Sequence, residues 1–190
     1  MKRRFLVDVD GVLADFVSAY LDIVRAVTGR SHSPEHVTEF DIGKSLALSR
    51  DESSLVKRTL GNSQGIAREL GVYPGAREGL AALREVADVY IVTSPWNSNP
   101  TWTHDREAWL EKHFRIKHDR VIHTSAKYVC CGDVLVDDKV SAVEQWQAAH
   151  SNGIGVVWDT LHNQRDSFPG LRMRTSSWSL LLALATGGEP

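Results

Sequence analysis

The stretch Phe5 to Phe16, FLVDVDGVLADF, carries three carboxylates, Asp8, Asp10 and Asp15, within eight residues. Asp8 and Asp10 break into an apolar run, where charge is costly. Comparable groups recur downstream. DVYIVTSP carries Thr93 and Ser94, DVLVDD ends in Asp137 and Asp138, and Lys127 lies between those segments in HTSAKYV. Crowded carboxylates repel one another, and their pKa values rise unless a cation joins them. A hard divalent ion with oxygen ligands removes the conflict, and Mg²⁺ is the natural choice. Lysine and hydroxyl groups beside such a centre suit a phosphate.

The elements that must position these groups can be read from hydrophobic pattern. Arg4–Val9, Asp88–Pro95, Asp133–Asp138 and Gly153–Asp159 read as buried strands, with a shorter one at Arg120–His123. Period-two alternation sends Asp8 and Asp10 to one side of a straight strand. Helical spacing runs from Asp15 to Thr28 and stops at Gly29; further helices are expected through Val86, over Thr103–Phe114, to about His150, and over Ser176–Ala185. Between Ser31 and Leu70 the chain is more polar, with short helices and no convincing strand. Strands alternating with helices predict an α/β fold, a three-layer Rossmann-like parallel sheet covered on both faces. The interruption after the first strand predicts a small helical cap over residues 17–72, with the core formed by 1–16 and 73–190. In open parallel sheets ligands bind beyond the carboxyl ends of the strands. The four groups of polar residues then meet at one sheet edge.

Bulk properties exclude several classes. The 190 residues suffice for one compact core plus an insert. The formal net charge of −2 gives no sign of polymeric nucleic acid or an anionic membrane as partner. No apolar run is long enough to span a bilayer, and aspartates break the segment after the basic start MKRRF, so neither a membrane span nor a signal peptide is expected. The two cysteines, Cys130 and Cys131, are adjacent and read as reduced thiols of a cytoplasmic protein.

DVDGV, a strand ending TS, a lysine and a strand ending DD together resemble the haloacid dehalogenase (HAD) phosphatase superfamily. A narrower set, DVDGVLADF, YPGA, TSP, GDVLVDDK, His162–Asn163 and Ser177–Trp178, is similar to the 5'(3')-deoxyribonucleotidases over nearly the whole chain. The resemblance implies hydrolysis of deoxyribonucleoside monophosphates, and it suggests a homodimer. It implies Asp8 as nucleophile and Asp10 as the proton donor and acceptor. It implies Mg²⁺ held by the Asp8 carboxylate, the Asp10 carbonyl and Asp138, with Asp137 as a near neighbour that orients water or Lys127. Thr93, Ser94 and Lys127 would bind the phosphoryl group. Phe16 and Phe40 match aromatic positions that pack on the base, although either could instead be core. Gly65 falls at a substrate-contacting position, but Ile66, Ala67 and Arg68 follow it where the family has aromatics. Arg106 stands where the family usually has a lysine near the site. His162–Asn163 read as loop support, and Trp96 follows the TSP loop close to the expected pocket.

Two other functions remain compatible with these residues. One is a HAD phosphatase acting on another small phosphomonoester, such as a sugar phosphate. The other is a non-catalytic nucleotide-binding relative, which the intact motifs disfavour.

Overall fold

A computed structural model describes residues 2–188. The chain begins with β1 (Arg4–Val7), whose four residues alternate between two buried faces. A two-residue strand, β2 (Ala14–Asp15), leads into α1 (Phe16–Thr28). Asp15 is the N-cap of α1: its Oδ1 accepts the Ser18 amide at 3.0 Å. Gly29 ends that helix in the left-handed conformation. Then come α2 (Ile42–Ser45) and α3 (Arg50–Asn62), the latter started by a reciprocal Ser49–Glu52 capping box. The second short strand, β3 (Gly71–Val72), pairs antiparallel with β2, so the two arms of the helical insert are joined side by side.

The remaining chain alternates strand and helix. It runs through α4 (Ala76–Val86), β4 (Asp88–Thr93), α5 (Trp102–Phe114), β5 (Val121–His123) and β6 (Val134–Asp137). It closes with α6 (Val140–Ala149), β7 (Ile154–Trp158), β8 (Met173–Thr175) and α7 (Trp178–Ala185). Six strands form one sheet in the order β5-β4-β1-β6-β7-β8, and every pairing in it is parallel. The expected α/β class with a parallel sheet is therefore observed. β8 was absent from the sequence reading; it is three residues long and its apolar content is too slight to register.

Strand parity divides the core. Phe5, Val7, Val134, Val136 and Ile91 join Leu80, Leu83, Trp109, Leu110 and Leu181 on the face covered by α4, α5 and α7. Leu6, Leu135 and Val92 join Trp146 of α6 on the other face. The insert closes a cluster of its own from Val17, Tyr20, Leu21, Val24, Val56 and Leu60, to which α5 contributes Trp102.

β1 ends two residues earlier than its hydrophobic pattern suggests. Beyond Asp8 the chain wraps around the Val9 carbonyl, which accepts the amides of Val12, Leu13 and Ala14. Asp8 and Asp10 thus do not share one side of a straight strand. Asp8 sits at the strand end and Asp10 in the turn.

The Ser177–Trp178 motif has a packing role. Trp178 lies on Gly79 of α4, where an added Cβ would come within 2.1 Å of its ring. Gly79→Ala should therefore destabilise the protein by about 1–3 kcal/mol through overpacking, although alanine is the better helix former. Denaturant unfolding decides the sign, and a gain in stability would mean that Trp178 moves aside freely.

Candidate active site

β1 and β6 are adjacent, so their carboxyl ends bring Asp8 and Asp137–Asp138 together at the point where the chain changes direction across the sheet. Asp8, Asp137 and Asp138 are all buried, and each can offer an oxygen within 4.8 Å of the others. Lys127, also buried, comes from the turn that precedes β6. Its Nζ lies 2.7 Å from Asp8 Oδ1 and 2.6 Å from Asp137 Oδ2. The second oxygen of Asp137 accepts the Lys139 amide at 2.9 Å. Asp138 Oδ2 meets His162 Nε2 at 2.7 Å. The free carboxylate oxygens that remain belong to Asp8 and Asp138. Such a donor set fits a hard divalent cation.

Gly11 makes room for this arrangement. Its φ is +79°, and a Cβ there would fall 2.0 Å from Asp138 Oδ2. Asp10, one residue earlier, turns the other way. Both its oxygens accept from Arg106 Nη2, at 2.7 and 2.8 Å. Arg106 is fully buried on α5, with its guanidinium 5.1 Å from the Trp102 ring and 5.7 Å from the Trp109 ring. Its Nε and Nη1 find no hydrogen-bond partner among the described residues.

Asp8, Asp10 and Asp137 all lie above the ordinary carboxylate range, and burial is the chief cause in each. Around Asp8, Lys127 opposes that rise, while Asp137, Asp138 and Asp10 add repulsion. Around Asp10 the opposing charge is Arg106. Burial works against the Lys127 ammonium, but Asp137 and Asp8 outweigh it and push its pKa upward.

These groups open into a cavity of about 410 Å³ lined by Asp8, Asp10, Ser94, Lys127, Asp137 and Asp138 at one end. Another wall is aromatic. Phe16 lies 6.0 Å from Tyr20 and 6.2 Å from both Trp96 and Trp102, centroid to centroid. Phe40 also lines the cavity but stands apart from that group, edge-on to His162 at 6.0 Å. Thr93 ends β4 fully buried, and its hydroxyl has no partner among the described residues. Gly65 lies elsewhere. It borders a separate, open depression, and its amide is taken by Asp105 Oδ2 at 2.9 Å.

Several of the cavity's residues, Tyr20, Trp102 and His162 among them, carry no site signal strong enough in the sequence. Trp102 opens α5 and looks like ordinary core. His162 had one signal, the His162–Asn163 pair, and was read as loop support. Asn163 does support a loop, donating to the Asp138 and Trp158 carbonyls at 2.7 and 2.8 Å. His162 reaches the acidic cluster itself.

The parallel sheet and its covering helices are the fold of solved hydrolases described as haloacid dehalogenase-like. A haloacid dehalogenase-like hydrolase from Burkholderia xenovorans superposes with a TM-score of 0.62 at 18% identity, covering 94% of this chain and 96% of that one. A haloacid dehalogenase-like family protein from Streptococcus pneumoniae gives 0.59 at 15% identity, over 96% and 98% of the chains. Within that class, residues 3–183 match the model of the 5' nucleotidase, deoxy (Pyrimidine), cytosolic type C family, and the chain belongs to it. It is a hydrolase by that membership. The human cytosolic-type 5'(3')-deoxyribonucleotidase is 29% identical over 93% of this chain and 89% of its own. The human mitochondrial 5'(3')-deoxyribonucleotidase is 28% identical over 93% and 78%.

The buried charges yield a stability test. Burial holds the folded-state pKa values of Asp8 and Asp137 above their unfolded values. Such groups favour the folded state at low pH, and the benefit is lost as pH rises through the folded pKa. Lys127→Met removes the opposing charge and lifts those values further. In metal-free buffer the variant should lose about 3–5 kcal/mol at pH 8 and distinctly less at pH 5, read from urea unfolding. Equal losses at both values would mean that charge compensation is not the role of Lys127.

Proposed function

We propose that the protein is a Mg²⁺-dependent phosphomonoesterase that removes phosphate from deoxyribonucleoside monophosphates through an aspartyl-phosphate on Asp8. The observation that carries this reading is the union of two chemistries in one cavity. A carboxylate–lysine cluster stands at one end and a wall of four aromatic rings at another. A phosphate and a flat base joined by a sugar match that pairing. The names of the similar human enzymes support the same substrate class.

Asp8 has one oxygen held by Lys127, which orients the carboxylate for in-line attack on phosphorus. The phosphoryl–oxygen bond to the sugar breaks as the bond to Asp8 forms. Asp10 gives the leaving oxygen its proton and later takes one from the water that releases phosphate. Burial raises its pKa, the direction that favours the protonated form, while Arg106 opposes that rise. Lys127 balances charge on the phosphoryl oxygens, and Ser94, which lines the cavity, is available to them; Thr93 is buried beneath it and does not line the cavity. Asp8, Asp138 and the Asp10 carbonyl would hold Mg²⁺, which would supply positive charge to the cluster and to the phosphate. With both its oxygens engaged by Lys127 and Lys139, Asp137 serves to anchor the lysine.

Residues 17–72 act as a cap in this reading. Tyr20 of the cap packs beside Phe16, which meets Trp96 and Trp102 of the core, so the base wall is built from both parts. Arg106 holds Asp10 and does not line the cavity as a direct base contact.

Phosphate release with Mg²⁺ should be measured on dUMP, dTMP, dGMP, UMP, 3'-dUMP, several sugar phosphates and p-nitrophenyl phosphate. A clear preference for deoxynucleotides is expected, and turnover of a sugar phosphate in preference to every nucleotide would transfer the chemistry to another substrate. Asp8→Asn should keep the fold and cut release by roughly a thousandfold or more; near-wild-type activity in that variant would end the aspartyl-phosphate mechanism. Trp96→Ala should raise KM for the preferred nucleotide about tenfold, in line with a stacking contact of ~1–3 kcal/mol, and leave turnover of p-nitrophenyl phosphate close to wild type.

A further inference from the structure

We infer that His162 is a positioning residue for the Asp138 carboxylate, and that Phe40 of the insert keeps His162 in register to do so. The inference rests on the divalent-ion part of the proposed function. It does not depend on which phosphoester is the substrate.

The two oxygens of Asp138 have different surroundings. Oδ2 is enclosed, with Gly11 on one side, where only the missing Cβ leaves space, and His162 Nε2 at 2.7 Å. A carboxylate only accepts hydrogen bonds, so Nε2 is the nitrogen that carries the proton. Donation to Oδ2 leaves Oδ1 as the oxygen able to face a cation. The main chain of Asp138 is fixed from the same loop, because Asn163 Nδ2 donates to its carbonyl and Arg174 Nη1 donates to Asn163 Oδ1 at 2.8 Å. Ligand carboxylates depend on such outer hydrogen bonds for their aim.

The His162 ring is not held by dense packing on every side. It borders the main cavity and also a second cavity of about 340 Å³, lined by Tyr73, Trp158 and Trp178 among others. Room behind the ring would let it swing away from Asp138. On the main-cavity side Phe40 meets it edge to face, at 74° between planes. Lys139, the residue after Asp138, places its ammonium 5.0 Å from the Phe40 ring centre. Phe40 is half-exposed and has no ring partner in the Phe16–Trp96–Trp102 group. Its contacts are with the two residues that flank the Asp138 side chain, one by sequence and one by hydrogen bond. Phe40 therefore links the insert to the acidic cluster more directly than to the base wall.

The test is Mn²⁺ affinity of the full chain without substrate, by titration calorimetry, with Mg²⁺ measured by competition. His162→Ala should weaken Mn²⁺ binding about 10- to 100-fold. His162→Gln, whose amide N–H can donate to the same oxygen, should recover most of the loss. Phe40→Ala should weaken it several-fold. Unfolding midpoints confirm that each variant is folded; should His162→Ala not fold, His162→Gln compared with His162→Leu carries the test. Wild-type Mn²⁺ affinity in His162→Ala, or a glutamine variant no better than alanine, would overturn the positioning role. An unchanged affinity in Phe40→Ala would overturn the link to the insert. A wild-type protein that binds no divalent ion overturns both this inference and the metal reading before it. Normal metal behaviour with no nucleotide turnover overturns only the nucleotidase reading.

Discussion

A single buried ammonium makes the acidic end of this sheet tenable. Lys127 stands between Asp8 and Asp137, 2.7 and 2.6 Å from their oxygens, where β1 and β6 end side by side. Without it, three carboxylates would crowd a site that water barely reaches. One cation for three acidic groups leaves a local deficit of positive charge, and Asp8 and Asp137 stay above the ordinary carboxylate range despite the lysine. That residual demand for positive charge is what a divalent ion is suited to resolve. Asp10 is kept out of the crowd by its own partner, Arg106, reached from α5 on the far side of the cavity. The tight wrap around the Val9 carbonyl is what turns Asp10 in that direction.

Much of this was legible in the sequence, for definite reasons. The long strands announced themselves as apolar runs, and the runs ended in polar residues because a parallel sheet presents its carboxyl edge to the site. Short elements escaped. β2 and β3 are two residues each, and no period can be read from two residues. The end of β1 was misplaced because Val9 is apolar and continues the pattern, while its carbonyl serves a turn. The stop of α1 carried its own mark at Gly29, whereas the Ser49–Glu52 capping box that starts α3 lay unread in a polar stretch.

The site divided along similar lines. Aspartates and a lysine in strand-end segments stand out against an apolar background, so the charged half could be named residue by residue. The aromatic half could be named only in part, through Phe16 and the neighbourhood of Trp96, since tryptophan in a helix or loop is usually core. Trp102 is nearly fully buried yet lines the cavity, and its chemistry depends on its neighbours Phe16 and Trp96, which lie far away in the chain. Gly65 shows the opposite case. Its family position pointed to substrate, but here its amide is tied to Asp105 at the edge of another depression. Phe40 reached the cavity as expected, but beside His162 and Lys139 instead of among the other rings.

The β2–β3 pair gives the architecture a modular joint. Both arms of the insert pass through one two-residue antiparallel clasp, reinforced by the Tyr73 amide donating to the Leu13 carbonyl at 2.9 Å. Changes in length between α1 and β3 are absorbed within the insert, because the clasp fixes the distance between its two ends. The register of the six-stranded sheet is insulated from them. The insert can therefore change in length and sequence while the acidic edge of the sheet keeps its geometry. The exception is Phe40, the point at which a newly acquired insert would have to restore a contact before the old chemistry could run at its former rate.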